Sequence, residues 1–104
     1  MIEFQESGKE QSAHLSMGES FEVILHENPT AGYRWRMAED GEPACSFTGD
    51  DFKPGRLPGA EGIHRWRFRA AQQGEGKILM KLQRSWAKEV AAAKSFALKV
   101  TVTS

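Results

Sequence analysis

Hydrophobic and polar residues alternate along most of this 104-residue chain. The alternation has a period of two over residues 21–26, 33–38, 64–70, 78–82 and 96–103. A period of two is typical of β-strands that bury one face and expose the other. Two shorter segments, residues 11–15 and 44–47, are further strand candidates. We expect the core to contain the large apolar residues on the buried parity: Phe21, Val23, Tyr33, Trp35, Trp66, Phe68, Met80, Leu82, Leu98 and Val100.

Turn-forming sequences rich in glycine, proline and asparagine separate these segments. About seven or eight short strands in a chain of this length predict an all-β antiparallel sandwich, and we expect residues 1–104 to form one domain. Residues 28–32, 50–62 and 84–94 depart from the alternation. The last of these segments contains good helix formers over 88–94, and we interpret it as the tip of a long hairpin between the last two strands.

The charge balance argues against several classes of partner. The chain has 14 basic and 14 acidic residues and a formal net charge of zero. Nucleic-acid binding favours a basic stripe, and anionic membranes attract a basic surface, so we expect neither partner. The chain contains no apolar run of the roughly 18–20 residues that span a bilayer. Residues 1–6 lack the basic and apolar regions of a signal peptide, which leaves either a location inside the cell or a signal removed before this sequence.

Residues that commonly carry catalysis are sparse. Cys45 is the single cysteine, so no disulfide forms within the chain. The histidines, His14, His26 and His64, are far apart in sequence and none has a metal-type spacing. We therefore expect no metal, no cofactor and no enzymatic activity, and we interpret Cys45 as a buried structural thiol.

The first segment that breaks the alternation reads NPTAGY and comprises Asn28, Pro29, Thr30, Ala31, Gly32 and Tyr33. Proline fixes φ and removes a donor, asparagine favours turns, and glycine permits positive φ or a close backbone approach. These residue types predict a stiff, exposed loop leading into a strand whose Tyr33 and Trp35 enter the core. The plainer interpretation is a loop that only joins two strands.

A second segment precedes the strand that carries Trp66 and consists of Gly59, Ala60, Glu61 and Gly62. Glycines at the start of a strand allow a bulge or a close backbone approach. Alone, the segment is equally well described as a flexible turn after Pro58.

A third segment, Arg84-Ser85-Trp86, follows the apolar strand around residues 78–82. Trp86 does not continue a buried stripe. It either packs on the core of this chain or is an exposed aromatic anchor, the residue type that dominates many protein interfaces.

Together and in this order, the three segments resemble those of the chagasin-type inhibitors of papain-like cysteine proteases. The family segments read NPTTGY, GxGG and RPW, and this chain has NPTAGY, GAEG and RSW. The resemblance extends from about residue 16 to the C-terminus. It implies an immunoglobulin-like sandwich, here a monomer, with the three loops clustered at one end. The first loop would enter the protease cleft beside the catalytic cysteine, and the other two would flank it in reversible, tight binding.

The chain departs from the family pattern at three positions. Ala31 replaces a threonine, Glu61 replaces a glycine, and Ser85 replaces a proline. These changes bear on affinity and on the preferred protease more than on the class of activity. The alternative function is an immunoglobulin-like adhesion or carbohydrate-binding module, with Trp35, Trp66 and Trp86 as a stacking platform; the inward parity of Trp35 and Trp66 argues against it.

Overall fold

The structure, a computed structural model, describes residues 2–6, 9–28, 32–57, 59–84 and 94–104. These residues form eight strands: β1 (Ile2–Gln5), β2 (Gln11–Ser16), β3 (Ser20–Glu27), β4 (Tyr33–Asp40), β5 (Cys45–Lys53), β6 (Gly62–Ala70), β7 (Gly74–Arg84) and β8 (Lys94–Thr103). The described part of the chain includes no helix that is long and apolar enough to cross a membrane.

Two four-stranded sheets face each other across one core. Sheet A has the order β1-β3-β6-β5, and sheet B has the order β2-β8-β7-β4. The strands pair antiparallel except at one edge of each sheet, where β1 runs parallel to β3 and β2 runs parallel to β8. The predicted all-β, immunoglobulin-like sandwich is confirmed.

The core follows the alternation that the sequence shows. The predicted residues Phe21, Val23, Trp35, Trp66, Phe68, Met80, Leu98 and Val100 are buried. The Phe21 and Phe68 rings stack across β3 and β6, with centroids 5.3 Å apart. Because apolar burial is the main favourable term in folding, this cluster between the sheets is what holds the two layers together.

Tyr33 and Leu82 are partly buried, so both are more exposed than the other predicted core residues, although Leu82 packs against the core cluster. Both lie at the end of sheet B where β4 begins and β7 ends. The guanidinium of Arg84 lies over the Tyr33 ring, 5.1 Å from its centre. The aromatic ring is therefore partly covered by a cation at the edge of the core.

Strand β5 is longer than the predicted segment 44–47. It continues to Lys53, with a register shift between Phe47 and Gly49. A bulge adds an unpaired residue and lets the strand continue beyond it. The segment 50–62 is therefore in part strand. The hairpin tip predicted within residues 84–94 lies outside the described residues, apart from Arg84 at the end of β7 and Lys94 at the start of β8.

Cys45 lies at the start of β5 and is fully buried, as the sequence predicts. Burial, followed by the nearby charge of Asp40, raises the pKa of the Cys45 thiol from 9.0 to about 11. The reactive thiolate is therefore scarce in the folded protein at pH 8.

We expect Ellman's reagent to leave the folded protein unmodified at pH 8 and to modify it rapidly in denaturant; rapid modification of the folded protein would contradict this.

Candidate functional site

The structure describes only some of the residues in the three segments that are predicted to contact a protease. We use the names first loop for residues 28–33, second loop for residues 59–62 and third loop for residues 84–86. All of the second loop lies among the described residues, as do Asn28, Gly32, Tyr33 and Arg84. The remaining predicted contact residues lie outside them: Pro29, Thr30, Ala31, Ser85 and Trp86.

The strands that carry the three loops end side by side. Glu27, the last residue of β3, pairs with Gly62 at the start of β6 in sheet A. Tyr33, the first residue of β4, pairs with Arg84 at the end of β7 in sheet B. The antiparallel register of each sheet thus brings two of the loops together.

Two contacts connect the loops, one at the end of each sheet. The side-chain amide of Asn28 donates a hydrogen bond to the carbonyl oxygen of Gly59, at 3.2 Å. The guanidinium of Arg84 lies over the ring of Tyr33 at 5.1 Å, within the range of a cation–π interaction. The first contact joins the first loop to the second, and the other joins the third loop to the first. The bases of all three loops therefore form one surface at one end of the sandwich.

The glycines of the second loop are required by its geometry. Gly59 has a φ of 80°, a conformation that residues with a Cβ rarely adopt, and the amide of Ala60 donates to the carbonyl of Leu57 at 3.0 Å. A Cβ on the buried Gly62 would lie 2.6 Å from the carbonyl oxygen of Lys53. The segment is thus a defined turn followed by a close backbone approach.

A buried carboxylate lies directly beneath the first loop. Glu27 accepts a hydrogen bond from the backbone amide of Trp35 at its Oε1, at 2.7 Å. The indole of Trp35 in turn donates to the carbonyl oxygen of His26, at 2.8 Å. These two bonds join the strand before the first loop to the strand after it, so the loop is closed at its base and the two sheets are linked there.

His64 extends this network to the far strand of sheet A. Its Nδ1 lies 3.3 Å from Oε2 of Glu27, and its Nε2 lies 2.6 Å from Oδ2 of Asp50. The imidazole also stacks on the indole of Trp66, with centroids 3.8 Å apart and planes at 7°. We call Glu27, His64 and Asp50 the loop-base network.

Sequence reasoning did not identify the loop-base network. The available signal was parity, because Glu27 continues the inward-facing series of Phe21, Val23 and Leu25, and His64 that of Trp66. A polar residue on a buried parity needs a partner. The partners, however, lie up to 37 positions apart in the sequence, and only the strand register brings them together.

An open cleft of about 360 Å³ lies at this end of the sandwich. Asn28 and Tyr33 of the first loop line it together with Glu61 of the second loop. An ion pair between Glu6 and Lys94, at 3.6 Å, forms another part of its wall. The glutamate that departs from the family pattern therefore faces the same space as the first loop.

This end of the molecule offers groups for binding, and no reactive group is evident among the residues described. No cluster of three or more metal-ligating side chains occurs within the described ranges. Cys45 lies at the opposite end of sheet A, where it pairs with Ala70 at the end of β6. Trp35 and Trp66 are only 6% and 4% exposed, so neither is available as a platform for stacking on a sugar.

The chain is similar to known proteins over most of its length. Residues 14–100 match the family model described as "Chagasin family peptidase inhibitor I42". Amoebiasin-1 of Entamoeba histolytica is 37% identical over 90 residues, which cover 85% of this chain and 86% of that protein. The fold resembles the crystal structure of EhICP2, a cysteine protease inhibitor from Entamoeba histolytica, with a TM-score of 0.86, 21% identity and coverage of 98% of this chain and 95% of the other. It also resembles PbICP-C in its complex with falcipain-2, with a TM-score of 0.69, 16% identity and coverage of 99% and 100%.

Proposed function

Because this chain belongs to the chagasin family of peptidase inhibitors, we propose that it is a reversible, tight-binding inhibitor of papain-type cysteine proteases. In this proposal the first loop occupies the active-site cleft of the protease, and the second and third loops bind on either side of it. The protein acts by occlusion: while it is bound, substrate has no access to the catalytic cysteine.

The observation that carries the proposal is the clustering of the three loop bases. The Asn28–Gly59 hydrogen bond and the Tyr33–Arg84 contact hold them together at one end of a rigid sandwich. A binding surface that is ordered before association pays less conformational entropy on binding. Three adjacent loops are also able to supply an interface of standard size, about 800 Å² per partner.

The loop-base network supports the central role of the first loop. Glu27 and Trp35 close the loop at its base, and Gly32 has a φ of 84° that directs the chain into β4. Each constraint limits the number of conformations that the unbound loop adopts, so the loop loses less conformational entropy on binding. The first loop is thereby suited to enter a narrow cleft at low entropic cost.

The proposed inhibition needs no covalent bond. The Cys45 thiol is buried at the other end of sheet A with its pKa raised to about 11, so it is unsuited to attack a protease or to form a mixed disulfide. PbICP-C, a protein of the same fold, was solved in complex with falcipain-2. We propose the same kind of partner, a papain-like cysteine protease, for this chain.

Binding to papain whose catalytic cysteine carries a methylthio group tests the non-covalent mechanism. We expect the capped enzyme to bind measurably by calorimetry, and a larger cap to weaken binding progressively, because the cap occupies the space that the first loop enters. Trypsin, which uses a serine nucleophile in a differently shaped site, serves as the control and is expected not to bind. Loss of all binding with the smallest cap would contradict occlusion without covalent chemistry.

Trp86→Ala is expected to weaken papain binding by about 2 kcal/mol or more, because an exposed aromatic anchor carries energy on the scale of an interface hot spot. Trp66→Ala, which truncates a buried side chain, serves as the comparison and is expected to cost about 3–5 kcal/mol of folding stability. Inhibition constants and urea unfolding curves measure the two effects separately. If Trp86→Ala lowers stability as much as Trp66→Ala and leaves inhibition unchanged, Trp86 belongs to the core and not to the interface.

A further inference from the structure

The outer face of sheet B carries an unusual concentration of positive charge. In β4, β7 and β8 the residues between the buried positions point away from the core. Five of these outward residues are basic, and each is exposed: Arg34, Arg36, Lys77, Lys81 and Lys99. We call this set the basic face.

The strand register places cations directly opposite one another on the basic face. Arg36 of β4 is the partner of Lys81 in β7, and Lys77 of β7 is the partner of Lys99 in β8. Like charges at directly opposed positions of a sheet repel each other. The two pairs are four positions apart in β7, which separates them by about 13 Å along the strand.

Apart from Asp40 and Glu42, which line a cleft together with Glu39 and Lys77, few acidic groups offset this charge. Among the outward-facing residues of the strands in sheet B, the acidic ones are Glu39 and Glu75. Five basic residues and these two acidic residues give the face a net charge of +3. Glu75 pairs with Lys99 at 3.7 Å. Within the described part of the chain, Arg36 and Lys81 are in no ion pair. Positive charge is therefore concentrated on one face although the net charge of the whole chain is zero, and this is apparent only from the strand register.

We propose that the basic face binds a linear anionic polysaccharide, sulfated or carboxylated, which lies across β4, β7 and β8 and neutralises both like-charge pairs. Such a chain carries closely spaced anions that relieve the repulsion within each pair. Release of its counterions on binding favours the complex and makes it sensitive to salt. This function goes beyond protease inhibition and does not depend on it, because the basic face is formed by the outward residues of β4, β7 and β8 and not by the three loops.

The character of the face favours a polysaccharide over other anionic macromolecules. The large hydrophobic side chains exposed within the described ranges are Ile2, Met17, Phe47 and Leu57, and none belongs to the outward positions of β4, β7 or β8. A membrane-bound surface usually inserts apolar side chains, and a site for single-stranded nucleic acid usually stacks bases on aromatic rings. The outward positions of these strands carry no aromatic ring, and their one large apolar residue, Leu79, is partly buried between Lys77 and Lys81. Ser95, Ala97 and Thr101 lie between the other cations.

Heparin is a suitable probe, and the Arg36→Gln/Lys81→Gln variant removes one like-charge pair. We expect wild type to bind heparin with an affinity that falls as salt rises, and the double variant to bind about tenfold more weakly with a shallower salt dependence. The matched control is Arg65→Gln/Arg69→Gln, which removes the same charge from exposed positions on the outer face of sheet A. The control is expected to lose less than about twofold in affinity.

Thermal unfolding gives a second readout that needs no ligand. Because the substitution removes a repulsion, the Arg36→Gln/Lys81→Gln variant is expected to melt at or above the wild-type temperature at low salt. Heparin is expected to raise the melting temperature of wild type more than that of the variant. Equal loss of heparin affinity in the two double variants, no binding by wild type, or tighter binding to phosphatidylserine vesicles or poly(dT) than to heparin would overturn the proposal.

Discussion

Substituting Thr30 with arginine is expected to raise the concentration needed for half-inhibition of papain about 100-fold or more, a change of about 2.7 kcal/mol in binding free energy. Thr30 is the central residue of the segment 28–32, which in our proposal approaches the cysteine–histidine pair of the protease. A long cationic side chain at that position either clashes with the walls of a narrow cleft or buries a charge without a partner, and burial of an unpaired charge is costly.

The stability of the Thr30→Arg variant is expected to match that of wild type. Among the described residues, the bonds that close the first loop involve Glu27, Trp35 and Asn28, and the substitution leaves these residues unchanged. Thr103→Arg provides a matched control, because Thr103 is exposed at the end of β8 that is remote from the loops. We expect the control to inhibit papain like wild type. Equal inhibition by Thr30→Arg and Thr103→Arg would show that the first loop does not enter the cleft.

Glu27→Ala is expected to lower the free energy of unfolding by about 3 kcal/mol. The substitution leaves the buried amide of Trp35 without its acceptor and removes the carboxylate that faces His64. The side chain of Glu27 is 3% exposed and that of His64 is 15% exposed, so solvent replaces the lost interactions poorly. We place the effect at the lower end of the range for a buried pair because His64 retains some contact with water.

Urea unfolding, followed through the tryptophan fluorescence, measures this loss. Glu27→Gln keeps an oxygen acceptor for the Trp35 amide and is expected to be less destabilised than Glu27→Ala. Glu39→Ala, at an exposed position of β4, is the matched control and is expected to change stability by less than about 0.5 kcal/mol. Comparable effects of Glu27→Ala and Glu39→Ala would show that the loop-base network contributes nothing to the fold.

Local patterning is sufficient to predict those strands whose alternation is unbroken. In β3, β6 and β8 most residues of one parity are apolar, so the buried face can be predicted without tertiary information. Strand β5 was predicted too short, because Gly49, Asp50 and Asp51 are residue types that favour turns. The structure shows that pairing with β6 overrides this local preference. Strand β1 was not predicted, since four residues with a mixed pattern carry too little signal.

The candidate site, like the fold, could be predicted only in part from the sequence. The order of three short segments along the chain predicted the family, which the comparisons confirm. The contacts between Asn28 and Gly59 and between Glu27 and His64 could not be predicted, because they join residues 31 and 37 positions apart. The roles assigned to Pro29, Thr30, Ala31, Ser85 and Trp86 stay predictions, since these residues lie outside the described ranges.

Titration of active papain with the purified protein tests whether this chain is a reversible, tight-binding inhibitor of papain-type proteases. We expect residual activity to fall in proportion to added protein until papain is fully inhibited at one inhibitor per enzyme. Activity should return when the complex is diluted or competed with excess substrate, and the recovered inhibitor should be uncleaved. If papain stays fully active at a large molar excess of folded protein, or cleaves the protein as a substrate, the protein is not an inhibitor of this kind.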